Sequence, residues 1–362
     1  MTGAFELGVI EGFYGREWSW QARAAYAPFL REHGYRFYLY APKGDAVLRK
    51  RWRERWAPAE REALEGLRQR YRDAGVAFGV GFTPFGAQSD YDADTRRALE
   101  EKIRDLDALD LDVFALLFDD VPGVPPDLAE RQVAITHDAL AATRARDFLM
   151  CPTYYADDPI LDKTSGPRPA RYLETLGAGL APQVRIFWTG PRICSTDYTQ
   201  AHLADVTQRL GRKPFLWDNY PVNDGPRMAK HLHLRAVTGR PSGLAQWAAG
   251  LAVNPMNQAE LSKLALLALR ESFARGAAYD PDAAFGRAAR ALWGDALAGA
   301  LEADLTRFHD AGLDALDDAT RVQLAAKYRA IGGPAAAEIC AWLEGEFLPT
   351  PQLLAEFAGT GL

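Results

Sequence analysis

The chain has 362 residues, 48% of them hydrophobic and 25% charged, which is enough to bury a large core and excludes a disordered chain. No stretch reaches 18 uninterrupted apolar residues, so a membrane is not an expected partner. Acidic residues (48) exceed basic ones (42) to give a formal charge of -6, opposite in sign to a general nucleic-acid footprint, so nucleic acid is not expected either.

Short β-rich runs recur at residues 7–10, 36–40, 76–82, 113–118, 148–150, 184–188, 214–217 and 250–253. Their starts lie 29 to 40 residues apart, the length of a strand, a crossover helix and two loops. Ser19 can N-cap a helix closed by Gly34, and Pro58 opens one closed by Gly75. Residues 94–109, 127–144 and 199–210 carry apolar side chains at mixed spacings of three and four, the last run closing at Gly211. Eight such units predict an α/β fold, a (β/α)8 TIM barrel over residues 1–278. Beyond it the chain is rich in Ala and Leu, has no strand pattern and breaks at Gly294, Gly332-Gly333 and Leu348-Pro349. Residues 279–362 therefore read as a small C-terminal α-helical domain of three or four helices, whose Ala-rich faces suit the barrel or a second copy in a homodimer.

Cys151, Cys194 and Cys340 form an odd set with no C-x-x-C pair, which points to neither a disulfide framework nor a thiolate metal site. The opening M-T-G-A-F-E-L-G-V-I-E-G has no basic or apolar leader region, and the expected location is cytoplasmic.

Barrels of this kind carry their chemistry at the C-terminal strand ends, and here those ends are rich in polar groups. The first exits into Glu11-Gly12-Phe13-Tyr14, the second into Ala41-Pro42-Lys43, the fourth into Asp119-Asp120 and the fifth into Pro152-Thr153-Tyr154-Tyr155. The sixth exits into Thr189-Gly190-Pro191, the seventh into Asp218-Asn219-Tyr220 and on to Asp224, the eighth into Asn254-Pro255. Adjacent strand residues face opposite ways, so Asp119 and Asp120 are expected to reach different parts of one ligand, one ionised and the other able to hold a proton. Lys43 stands out by its place at a strand exit, whereas the basic run from Arg49 to Arg55 reads as a solvated helix face without function. Trp188 and Trp217 each precede a polar residue at the mouth and suit an aromatic wall against the C–H face of a sugar.

Metal chemistry is not expected. His231-x-His233 follows the seventh strand instead of ending one, and the other histidines fall in helix-like segments. The sequence also lacks phosphate-cradling glycine loops and a G-x-S-x-G elbow. No cofactor is implied.

Read in order, the exits are G-V-I-E-G-F-Y-G-R-x-W, Y-L-Y-A-P-K, F-A-L-L-F-D-D-V, C-P-T-x-Y, W-T-G-P, W-D-N-Y-P-V-N-D and N-P-M. Together they resemble glycoside hydrolase family 84, the O-GlcNAcase and bacterial β-N-acetylglucosaminidase family, over residues 8 to about 272. The resemblance implies a retaining exo-β-N-acetylglucosaminidase acting on terminal β-linked N-acetylglucosamine of glycans or glycosylated proteins. In it the 2-acetamido oxygen of the substrate attacks the anomeric carbon and forms an oxazoline. By that analogy Asp119 orients the acetamido group, and Asp120 is first the general acid and then the base. Gly12, Lys43, Asp224 and Asn254 match positions holding sugar hydroxyls, and Tyr155 and Asn219 match contacts at the reacting end. Thr189, Trp217 and Tyr14 match the wall around the N-acetyl methyl. Tyr154 and Gly44 depart from the family, standing where acidic residues are common. A sugar-binding protein without turnover, or a hyaluronan-cleaving enzyme, are the competing readings.

Overall fold

The computed structural model describes residues 5–121 and 125–354; the outermost residues of both expected domains, 1–4 and 355–362, lie outside it. Eight parallel strands close into a barrel in chain order: β1 (Glu6–Glu11), β2 (Phe37–Tyr40), β3 (Ala77–Phe82), β4 (Val113–Leu117), β5 (Asp147–Cys151), β6 (Val184–Trp188), β7 (Phe215–Asp218) and β8 (Gly250–Val253). The ring closes where β1 pairs with β8, Leu7 opposite Leu251 and Val9 opposite Val253. Each run expected to be a strand is one, with ends moved by a residue or so. Strands buried on both faces read as continuous apolar runs, which is why they were visible.

The outer layer is α1 (Trp20–Glu32), α2 (Pro58–Ala74), α3 (Ala93–Asp107), α4 (Leu128–Ala142), α5 (Ile160–Thr164), α6 (Tyr172–Gly179), α7 (Gln200–Leu210), α8 (Gly225–Met228) and α9 (Ala259–Arg275). Local signals set several ends. Ser19 Oγ accepts the Ala22 N–H at 3.1 Å to start α1, and Gly75 closes α2 at φ 70°. Between β7 and β8 the alternation thins to the four residues of α8 and a 3-10 turn at Ser242–Gln246. That segment holds Pro226 and Pro241, which lack the N–H a longer helix requires.

Aromatic rings fill the barrel interior, Phe215 lying 5.9 Å from Phe37 and 5.6 Å from Phe187 between ring centres. Gly8 makes room for them, since a Cβ there would stand 2.2 Å from Phe37 Cζ.

After α9 come α10 (Pro281–Leu305), broken at Gly294 with φ 79°, then α11 (Asp318–Ile331) and α12 (Pro334–Leu343). Glu338 of α12 accepts the N–H groups of Glu260 and Leu261, both at 2.9 Å, and so caps the start of α9. Beyond α12, Glu346 pairs with Arg16 at 2.5 Å and the Phe347 ring lies 4.9 Å beneath that guanidinium, tying the last turns to the β1 exit. Among the described residues no helix is long and apolar enough to cross a membrane.

Candidate active site

A cavity of about 620 Å³ opens at the C-terminal mouth of the barrel, and every residue matched to a role at the sugar lines it, whereas Trp188, expected as an aromatic wall, does not. Gly12 and Tyr14 come from the β1 exit, Lys43 from β2, Asp119 and Asp120 from β4, Tyr155 from β5 and Thr189 from β6. Trp217, Asn219 and Asp224 come from β7 and its exit, and Asn254 follows β8.

The two aspartates do not divide as strand alternation predicts. β4 ends at Leu117, so both lie beyond the ladder, and Asp120 has a left-handed backbone at φ 55°. Aspartate tolerates that conformation better than most residues. Both carboxylates consequently line the same cavity and share one cation. Lys43 Nζ bonds Asp119 Oδ2 directly and stands 3.6 Å from Asp120 Oδ2.

Their remaining partners differ. Asp119 Oδ1 is buried and accepts no hydrogen bond from the described residues, whereas Asp120 accepts from the Tyr155 hydroxyl at 3.1 Å and from the Tyr14 hydroxyl at 3.0 Å. Burial pushes the Asp120 carboxyl up, but the Lys43 and Arg49 charges and the two tyrosine hydroxyls outweigh it and hold it below the usual carboxylate range. Burial first, and then the Asp120 charge, push both tyrosine hydroxyls well up, so they stay protonated donors. Asp224 lies on the other side of the mouth, accepts the Tyr14 N–H at 2.7 Å and is pushed up to about 6 by burial.

A chain of amides forms the floor. Gly12 N–H donates to Asn254 Oδ1 at 3.1 Å, Asn254 Nδ2 to Asn219 Oδ1 at 2.9 Å, and Trp217 Nε1 to the same oxygen at 2.9 Å. Asn219 Nδ2 is in turn held by the Ile193 carbonyl at 2.9 Å. A Cβ on Gly12 would lie 2.4 Å from the Trp217 ring, so only glycine lets the β1 exit meet this wall. The Thr189 hydroxyl turns away to the Arg192 carbonyl at 2.9 Å.

Other strand-end residues do not converge. Trp188 is fully buried and donates to His202 Nε2 at 3.0 Å, so it is core and not a pocket wall. Tyr154 is buried against Tyr172 with its hydroxyl on the Gly166 carbonyl. Nδ1 of His231 and of His233 face backbone carbonyls at 3.0 and 2.8 Å. Sequence reasoning missed Ile193, Cys194, Arg227 and Met228, which line the outer cavity from loops too far past the strand ends to carry a periodic signal. It also missed Arg49, which the structure buries instead of leaving on a solvated face.

A model of the family described as beta-N-acetylglucosaminidase matches residues 7–309. Protein O-GlcNAcase of Rattus norvegicus and that of Mus musculus are each 30% identical over 271 residues, covering 72% of this chain. The chain spans 29% of the length of those relatives. Among solved structures, an O-GlcNAc hydrolase mutant from Thermobaculum terrenum matches with a TM-score of 0.76 and 26% identity, over 93% of this chain and 80% of that one.

Proposed function

The chain belongs to the β-N-acetylglucosaminidase family, and from that premise we propose that it removes terminal β-linked N-acetylglucosamine with retention, the sugar's own acetamido oxygen serving as nucleophile. The observation that carries this reading is the contrast between the two aspartates: Asp119 keeps a buried oxygen without a donor, while both oxygens of Asp120 are held by tyrosines. A buried acceptor left unpaired is costly, and an acetamido N–H is a donor that removes the cost.

Asp119 then orients the amide and balances the positive charge that grows on it as its oxygen bonds C1. In the same step the bond from C1 to the aglycone oxygen breaks, and that oxygen takes the proton of Asp120, whose carboxyl the entering sugar raises from its low value by displacing water around it. In the return step a water oxygen bonds C1, its proton passes to Asp120, and the C1–oxygen bond of the oxazoline breaks to restore the acetamide. No carboxylate nucleophile is required.

Lys43, Asp224 and Asn254 hold hydroxyls of the sugar. Gly12 joins them through its carbonyl, because its N–H is already engaged with Asn254 and with the Ile10 carbonyl. Tyr155 and Asn219 serve the reacting end, and Tyr14, Thr189 and Trp217 wall the methyl. We assign residues 1–278 to catalysis and 279–362 to a helical support, whose exposed Val322 and Leu348 offer apolar surface for a homodimer. The three free thiols support a reducing, cytoplasmic setting.

The test compares two aryl β-glucosides, with and without the 2-acetamido group. Hydrolysis of the first should be faster by about 10³-fold or more, the scale of a well-oriented internal nucleophile, with the β-anomer as first product. Equal rates would remove the internal nucleophile, and binding of N-acetylglucosamine without any hydrolysis would make the protein a sugar-binding module.

A further inference from the structure

Arg49 opens the basic run that looks solvated in the sequence, yet it is 5% exposed. It does not line the cavity, so it does not touch a sugar. Its Nη2 donates to the Tyr14 hydroxyl oxygen at 3.2 Å, its guanidinium carbon lies 5.3 Å from the centre of the Tyr14 ring, and its Nη1 reaches the Lys43 carbonyl at 3.4 Å. The Tyr14 hydroxyl in turn donates to Asp120 Oδ2 at 3.0 Å. Its Nε is buried without a partner, and among the described residues no carboxylate lies within ion-pair distance of it. Taking a cation out of water costs several kcal/mol, and here no direct counterion offsets that cost. The negative charge that Arg49 faces is that of Asp120 and Asp119, seen through one tyrosine.

A tyrosine oxygen has a single proton to give. With Arg49 donating into its lone pair, the Tyr14 proton is directed to Asp120. We propose that Arg49 is a positioning residue for the acid–base carboxylate: acting through Tyr14, it steers a hydrogen bond onto Asp120 Oδ2 and stabilises the anion formed when Asp120 gives its proton to the departing aglycone oxygen. The inference rests on the hydrolytic reading above. It also accounts for the return step, in which the same anion must persist until it takes the proton of the incoming water.

The other groups facing Asp120 are Lys43 from the β2 exit, Asp119 beside it, Tyr155 and Cys151 from β5 and its exit, and Asp224 from the β7 exit. Of these only Lys43 is touched by Arg49, through its backbone carbonyl, and Arg49→Lys, which keeps the charge, separates the charge of Arg49 from that contact.

The experiment records kcat against pH, which reports on the sugar complex, for wild type, Arg49→Met and Arg49→Lys, with an alkyl N-acetyl-β-glucosaminide whose poor leaving group needs the acid. Loss of activity at high pH reports loss of the Asp120 proton. Removing a nearby cation should move that limb of the profile upward by about one pH unit in Arg49→Met, and Arg49→Lys, which keeps the charge, should return it toward wild type. Should Arg49→Met fail to fold, Tyr14→Phe must move the same limb in the same direction. A limb left at its wild-type position in Arg49→Met, or in Tyr14→Phe where that variant is used, with only KM or melting temperature changed, would show a mere loop brace and overturn the proposal. A wild-type protein that releases no sugar overturns the hydrolytic reading and this inference together, whereas wild-type turnover with an unmoved limb sinks the inference alone.

Discussion

Asp119 and Asp120 are chain neighbours of one chemical type, yet their partners give them different work. Only Asp120 stands between two hydroxyl donors, and only Asp119 keeps an unpaired buried oxygen. Asp120→Ala should therefore slow poor leaving groups by about 10²–10⁴-fold while sparing acidic phenols in the first step. Asp119→Ala should slow both, since it acts on nucleophile formation. Plotting log kcat/KM against leaving-group pKa for both variants checks this, and parallel slopes would contradict the assignment. Asp224 makes a separate prediction. With its carboxyl pushed up to about 6, it is an anionic acceptor above that pH and a neutral acid below it. Affinity for N-acetylglucosamine should weaken as pH falls through about 6, and Asp224→Asn should abolish that dependence in a calorimetric titration.

At the scale of elements, the β1 strand is anchored from beneath the pocket. Glu11, fully buried at its end, takes Arg23 of α1 through Nε at 2.9 Å and Nη2 at 2.6 Å and is also bonded by the Tyr38 hydroxyl. Arg23→Met would strand that carboxylate and should cost about 3–5 kcal/mol of unfolding free energy, read from the urea midpoint. This ion pair was not legible, because nothing in the sequence sets a glutamate at a strand exit apart from its polar neighbours. The strands were legible because double burial writes them as apolar runs, and the pocket because each run ends in a chemically distinct exit. Arg49 was misread for a physical reason. Its neighbours Arg51 and Arg55 have side chains 60% and 82% exposed, whereas Arg49 directly follows the 3-10 turn at Ala46–Leu48 and is buried. The outer rim, with Arg227 and Met228 on α8, depends on loop paths that no periodicity encodes.

For the molecule as a whole, the helical region reports on acidity. Glu338, which caps α9, is pushed up to about 7 by burial from an ordinary 4.5. The folded state then binds more protons at this group than the unfolded chain does between those values, so its contribution to stability is fully present below about 4.5 and is lost as pH rises through about 7. Asp224 adds a slope of the same sign at lower pH. The combined loss should be roughly 4 kcal/mol between pH 5 and pH 8. Glu338→Gln, which cannot ionise and keeps an acceptor for only one of the two N–H groups, should flatten the upper part of that curve in melting experiments at fixed ionic strength, at a lower overall stability.

The pairing of β1 with β8 joins residues 6–9 to residues 250–253. During synthesis the first strand emerges long before its last neighbour exists, and until Gly250 leaves the ribosome the nascent sheet carries two bare edges. Contacts this distant along the chain also make closure slow. Any message or ribosome that stops short of the eighth strand therefore yields an open, adhesive half-product, and chaperone demand should fall abruptly once that strand is released.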